Sequence, residues 1–312
     1  MHVLFIIDAL DTLNLTTETS LLLMEELARR GHTSAVATLP DLYLTDAGAG
    51  VRAAAIRLRP GEKPFYELDT PADHPFTDFD VVLMRKDPPV NAAYIAATFI
   101  LERAAAVVPV VNDPTSLRLV NEKLWPLSFG EFAPATLISG NVERLLHFAQ
   151  AHGRIVLKPL EDCSGRGIVL VDAARARQQI ADYAAAHGGR AVLAQRFLEG
   201  VTAGDKRILL LAGEPIGAVN RIPRSRDHLA NIHQGARVEA TTLTAREHAI
   251  VAAVRPLLVE RRLWLAGIDV IDGHLTEINV TSPSAARQIN AVSRTHVERP
   301  IVEFLERIRR KR

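Results

Sequence analysis

A single cysteine, Cys163, is the whole thiol complement of these 312 residues. That excludes a disulfide framework and any metal site built from several thiolates, and it suits a reducing cytosol. Charge of one sign is missing too. The net charge is +1, so no global field points towards nucleic acid or a membrane. The basic end, RIRRKR, is short enough to be a solvated helix end. No run of about 20 apolar residues is present to cross a bilayer. MHVLFIIDAL is too short for that and lacks a basic leading segment, so it reads as a first strand and the chain as cytoplasmic. There is no internal repeat, no Walker A pattern, no HExxH and no GxSxG. Lysine is sparse as well: of 37 basic residues only Lys63, Lys86, Lys123, Lys158, Lys206 and Lys311 are lysine. A chain so biased to arginine keeps a compact, flexible cation for few places, and contact with phosphate is one use for it.

What is present is enough apolar content, 48%, for two or three domains at roughly 100–200 residues each. Residues 1–120 alternate strands (VLFII, SAVATL, DVVLMR, VPVVND) with helices, the first running to a stop at Gly31. That is the pattern of a parallel-sheet α/β domain. DPTSLRLVNEKLW opens a new section, with Ser/Thr caps before a helix. Residues 121–200 carry TLIS, RIVLKPL, IVLV and AVLAQRFL as strands, with two helices among them. Residues 201–312 begin with a hairpin turning on AGEP. A polar stretch over 224–237, with His228 and His233, then reads as a long lid-like loop. LTAREHAIVAAVRPLLVERR is a helix, and LWLAGIDVIDGHLTEINVTSP a strand, a turn and a strand.

Two places carry candidate chemistry. Lys158 ends a strand beside a loop with Ser164, Gly165 and Gly167, whose amides could approach phosphates. Taken alone, the segment equally suits a hairpin turn with one surface lysine, and Cys163 in that loop has no base partner in the sequence. The second place is Asp269, a carboxylate inside an apolar strand, which needs a partner or a metal. The next strand brings Glu277 and Asn279, two apart and so on one face. Oxygen ligands of this kind suit Mg²⁺ rather than Zn²⁺. The metal reading makes a demand on register. A plain two-residue turn on Asp272-Gly273 would set Asp269 opposite Thr276. Pairing Asp269 with Glu277 requires a three-residue turn or an equivalent bulge. An edge hairpin with one solvated face is the alternative.

With these residues in place the chain closely resembles the bacterial glutathione synthetase family of ATP-grasp ligases. The resemblance runs over nearly the whole length, through DLYL, VVLMRKDPP, YIAATFILERA, VVNDPTSLR, NEKLW, VLKPL, GDKRILLL, GEPIGAVNRIP and GIDVIDGHLTEINVTSP. It implies an ATP-grasp fold: an N-terminal α/β domain over 1–120, a small lobe over 121–200 and a C-terminal lobe over 201–312. It implies that Lys123 and Lys158 contact ATP phosphates with Gly165, Gly167 and Lys206 nearby, and that the strand end at Gln195, Phe197 and Leu198 meets adenine. Asp269, Glu277 and Asn279 would hold Mg²⁺, for which Mn²⁺ could substitute. Arg207, Arg221 and Asn279 would serve the phosphoryl transfer, Arg85 the acyl substrate and Ser282 the amine. The implied reaction joins γ-glutamylcysteine and glycine with ATP, in a homo-oligomer, commonly a tetramer. The alternatives are a ligase of the same mechanism with another small peptide or amino-acid pair, and a nucleotide-binding module without catalysis.

Overall fold

The computed structural model describes residues 1–161, 167–223 and 237–309, arranged around three sheets. The first sheet takes β1 (His2–Ile6), β2 (Thr33–Ala37), β3 (Leu42–Thr45), β4 (Gly48–Leu58), β5 (Tyr66–Leu68), β6 (Ala72–Pro75), β7 (Val81–Met84) and β8 (Val110–Val111). β1, β2, β7 and β8 pair in parallel, as the alternation with α1 (Thr19–Arg29) and α2 (Ala92–Ala105) predicts. The rest of the sheet corrects that reading: β3 to β6 are antiparallel, gathered around the long β4. Their sequences hide them. β4 reads GAGVRAAAIRL, with few branched residues and with Arg52 and Arg57 at the solvent, so it lacks the Val/Ile/Tyr enrichment by which strands are found.

Helix ends follow local chemistry. Asn91 caps α2 by accepting from the Tyr94 amide at 3.1 Å. The helix then buries Tyr94, Ala97, Leu101 and Ala104 at helical spacing. The cap of α3 (Pro114–Leu119) is Asp113, which accepts from the Ser116 amide at 2.8 Å, rather than the serine or threonine expected.

The second sheet is antiparallel, in the order β11-β10-β12-β9, from β9 (Thr136–Ser139), β10 (Arg154–Lys158), β11 (Val169–Asp172) and β12 (Val192–Arg196). The helices α4 (Val142–His152) and α5 (Ala176–Ala186) cover one side, with Leu145, Ile155, Leu157 and Ile180 in the shared core. The third sheet has the order β15-β14-β13-β16-β17. Its strands are β13 (Asp205–Leu211), β14 (Glu214–Ile222), β15 (Arg237–Ala240), β16 (Leu265–Ile271) and β17 (His274–Asn279). The β13–β14 hairpin turns at Ala212-Gly213, both with positive φ, as the AGEP reading expects.

Alternation along β13 sends Ile208 and Leu210 to a core with α6 (Ala245–Glu260), continuous with Tyr94 and Leu101 under the first sheet. It sends Arg207, Leu209 and Leu211 to the other face, where α7 (Ala286–Ser293) and α8 (Glu298–Ile308) pack. Among the described residues no helix is long and apolar enough to cross a membrane.

Candidate active site

Three strands lay charge in a row. Arg207 on β13 lies opposite Asp269 on β16, and Asp269 lies opposite Glu277 on β17. Gly267 is opposite Asn279 one step along. A Cβ on Gly267 would meet the Arg207 Cδ at 3.1 Å, so glycine leaves the arginine its path across the sheet. The register demand is met by the bulge. Ile271 pairs with His274 and Val270 with Leu275 across a two-residue turn, and the ladder then shifts so that Thr276 is skipped.

Asp269 is buried and doubly paired. Arg207 Nη2 reaches its Oδ2 at 2.8 Å while Nε donates to the other oxygen, and Arg221 Nη2 lies 3.0 Å from Oδ1. Burial alone would push its pKa up, but the two guanidiniums overrule this and hold it down at about 2. Arg221 also donates to Asp205 at 2.6 Å. Burial pushes Asp205 up to about 6, with Arg221 pulling against it and Asp269 pushing with it. Asn279 Nδ2 points at Asp269 Oδ2, 3.3 Å away.

Among the described residues the side chain of Glu277, half-buried opposite Asp269, makes no hydrogen bond or ion pair. A flip of the Asn279 carboxamide, an orientation set by its surroundings, turns an oxygen towards Asp269 Oδ2. Two carboxylates and one amide oxygen are a donor set for Mg²⁺ that leaves positions for phosphate and water. Among the described residues no three His, Cys, Asp or Glu converge into a closed metal cage. The residues present therefore fit a hard divalent ion that arrives with a nucleotide.

The lysines stand at the second sheet. Lys158 ends β10 and donates to the Gln195 carboxamide oxygen at 3.2 Å; Gln195 in turn donates to Thr136 at 3.1 Å. Lys123 Nζ donates to the Pro159 carbonyl at 2.8 Å. Both cations are buried, and neither of these acceptors is charged. Phe197 and Leu198 are buried where β12 ends, with Arg154 stacked over the Phe197 ring. Gly167 closes the loop after Lys158 with φ +68, and a Cβ there would come within 3.1 Å of Pro159. Gly165, Ser164 and Cys163 lie outside the described residues, as does the 224–237 lid with His228 and His233 apart from Arg237, which begins β15.

Lys206 does not join the others. It sits one residue from Arg207, so alternation turns it to the α6 face. There it bonds Glu247 at 2.7 Å and the Thr242 carbonyl at 2.9 Å. Adjacency in GDKR misleads because strand neighbours point apart.

Arg85 follows β7, 3% exposed. Its Nε donates to Ser20 at 3.2 Å, and both Nη atoms are buried without a partner. Burial lowers its pKa, opposed by Glu18, Asp87 and Tyr94. Burial raises the Asp87 pKa, and the Ser282 side chain and Arg85 both oppose this, which places Arg85 and Ser282 in one neighbourhood. A buried guanidinium with two idle nitrogens is costly unless an anion completes it.

Sequence reasoning missed Asp205, Asp87 and Glu122. Glu122 accepts at Oε1 from the amides of Val280 and Thr281 and from Thr281 Oγ1. Burial raises its pKa against those three bonds. The sequence offered only that each lies within two residues of Arg207, Arg85 and Lys123, respectively, which does not separate a site group from a surface pair.

Comparison with known proteins finds relatives over nearly the whole chain. Residues 1–118 match the model for the prokaryotic glutathione synthetase N-terminal domain, and residues 122–294 that for the prokaryotic glutathione synthetase ATP-grasp domain. A protein of Gloeobacter violaceus named glutathione synthetase is 42% identical over 312 residues, 98% of this chain and 96% of the relative. One from Brucella melitensis is 38% identical over 291 residues, 93% of each. Among solved structures, D-cycloserine synthetase DcsG superposes with a TM-score of 0.70 at 15% identity, covering 98% of this chain and 99% of that one. The RimK domain ATP-grasp protein of Sphaerobacter thermophilus gives 0.64 at 19%, covering 97% and 99%. These two establish fold alone. The chain belongs to the prokaryotic glutathione synthetase family, with an ATP-grasp fold.

Proposed function

We propose that this member of the prokaryotic glutathione synthetase family makes glutathione from γ-glutamylcysteine, glycine and ATP, releasing ADP and phosphate. The observation that carries the reading is the row Arg207–Asp269–Glu277, with Arg221 and Asn279 beside it, in a chain matched by both family models.

Phosphoryl transfer to a carboxylate gathers negative charge, and positioned cations lower its barrier. In this reading Lys123 and Lys158 take the nucleotide phosphates, and the end of β12 at Gln195, Phe197 and Leu198 receives the base. Asp269, Glu277 and Asn279 hold Mg²⁺, or Mn²⁺ in its place, which neutralises phosphate oxygens when bound. Arg85 receives an anionic group of the acyl donor with its two idle nitrogens. Arg207 and Arg221 are held by carboxylates at rest, so they are aimed before substrate arrives. The acyl carboxylate attacks the γ-phosphorus and ADP leaves. The glycine amine, near Ser282, then attacks the acyl carbon and expels phosphate.

We place the domain limits at 1–120, 121–200 and 201–312, the protein in the cytoplasm, and the assembly as a homotetramer, to be checked by light scattering. The functional test is ADP release with Mg-ATP against a matrix of acyl donors and amines. Turnover with γ-glutamylcysteine and glycine supports the assignment. Turnover only with another pair moves the specificity to a different substrate. ATP binding with no turnover anywhere makes the chain a nucleotide-binding module.

A further inference from the structure

The tripeptide Asn121-Glu122-Lys123 reaches in two directions. Asn121 Nδ2 donates to the Leu160 carbonyl at 3.1 Å and Lys123 Nζ to that of Pro159 at 2.8 Å, both in the loop after β10. Glu122 turns the other way, to β17 and its continuation. Its backbone carbonyl accepts from the Ile278 amide at 2.9 Å. Its Oε1 accepts from the Val280 amide at 2.7 Å, the Thr281 amide at 2.9 Å and Thr281 Oγ1 at 2.9 Å. Residues 278, 280 and 281 are thus held by one residue, and they alternate with Asn279 and flank Ser282.

Asn112 grips the far side of the same peptide, donating to the Val280 carbonyl at 2.7 Å. Asn112 also bonds Leu265 through its amide and carbonyl, so it fixes the segment to β16. Glu122 ties it to the backbone that carries Lys123.

We propose that Glu122 is a positioning residue that sets Lys123 in fixed register with Asn279 and Ser282, so that the metal-bearing end of the nucleotide and the amine acceptor are held on one rigid unit. The proposal rests on the function assigned above. It makes a selective demand. Removing the acceptor oxygen releases the Val280 and Thr281 amides and Thr281 Oγ1, beside Asn279 and Ser282, and leaves this stretch the Asn112 grip on its far side, whereas Lys123 keeps its ties through Asn121 and Pro159. Metal-dependent binding should suffer and metal-free nucleotide binding should not.

The test uses the full chain with Glu122→Ala and Glu122→Gln. Calorimetry measures binding of a non-hydrolysable ATP analogue with and without Mg²⁺, and circular dichroism follows melting. Glu122→Ala should lose about 10–100-fold in Mg²⁺-dependent affinity, the usual cost of removing a group that orients a metal ligand. Its Mg²⁺-free affinity should stay at the wild-type value, and the KM for the amine should rise alongside. Glu122→Gln should behave as wild type, because all three bonds go to one oxygen that glutamine retains. A Glu122→Ala protein with wild-type Mg²⁺ dependence, whatever its melting temperature, overturns the proposal. So does a Glu122→Gln protein as impaired as the alanine variant. If Glu122→Ala fails to fold, Thr281→Val decides: it deletes one of the three bonds and should shift Mg²⁺ dependence the same way by a smaller factor, and no shift overturns the idea. The nucleotide readout needs no acceptor, so a wrong choice of substrates would leave it intact.

Discussion

Glu277 stands directly opposite Asp269 because Thr276 is squeezed out of the ladder between them. Leu275 belongs to the core shared with Val270 and α6, whereas Glu277 belongs to the charged row. In a regular strand residues two apart share a face, so Leu275 and Glu277 would compete for one side. The extra residue reverses the alternation. Thr276 Oγ1 donates to the Asp269 carbonyl at 3.2 Å, which anchors the bulge beside the residue it serves.

The two carboxylates should therefore respond differently to substitution. Glu277→Gln removes a charge that no described residue pairs with. It should cut turnover by about 10²-fold or more, on the scale of losing one electrostatic contact in a transition state, with an unchanged melting temperature. Asp269→Ala strips a buried partner from Arg207 and Arg221, and breaking such a pair costs about 3–5 kcal/mol. It should lose both activity and stability, with Asp269→Asn between. Turnover assays beside urea denaturation separate the cases; a Glu277→Gln enzyme near wild-type rate would remove the metal assignment.

Arg85 offers the opposite exchange. Its two idle nitrogens leave the resting protein with a desolvated cation that Ser20, Glu18 and Asp87 compensate only in part. Arg85→Met keeps the stem and discards the charge, so it should raise the melting temperature by a few degrees, as relief of strain at a functional site commonly does. Binding of the acyl donor, followed by calorimetry, should fall below detection while ATP affinity stays level. A variant that binds the acyl donor normally would disqualify Arg85 as its receptor.

Lys158 tests the economy of lysine in the chain. It is buried and reaches Gln195 as a point charge. A guanidinium needs a planar fork of acceptors and more volume. Lys158→Arg should raise the KM for ATP and lower kcat by about tenfold or more, a misplacement effect rather than a loss of charge. Steady-state kinetics against ATP measures both; wild-type values would take the phosphate role away from this residue.

Much of this site could be read before the fold was known, and the reasons are local. The metal reading of Asp269 and Glu277 required a three-residue turn or an equivalent bulge, and the ladder shifts between Asp269 and Val270. The Ala212-Gly213 turn was legible because Gly213 tolerates positive φ; Ala212 shares that region and carries no such signal. Lys206 misled because its partner, Glu247, is 41 residues away on α6. Glu122 was silent for the same reason: a glutamate beside a lysine looks like a surface pair until the chain returns 158 residues later with Val280. The antiparallel edge around β4 went unseen because alanine and glycine carry no strand signal.

A last prediction concerns the join between the first and third sheets. Glu26 on α1 is buried against Arg29 and Arg30, at 2.6 and 2.7 Å. Arg30 continues to Glu303 and Glu306 on α8. The Arg29 bond leads in holding the Glu26 pKa down at about 2, burial pulling the other way. An unfolded glutamate titrates near about 4.3. A group whose folded pKa is depressed binds fewer protons folded than unfolded, so its stabilisation is present above about 4.3 and is lost as pH falls towards 2. Wild type should therefore exceed Glu26→Gln in stability by a constant margin from pH 7 down to about 5. The margin should then shrink steadily between pH 4.3 and 3. Urea midpoints for both proteins across that range measure it, and added salt should trim the plateau, since Arg29 is largely exposed. A margin that stays constant to pH 3 would mean that Glu26 packs α1 against α8 without using its charge.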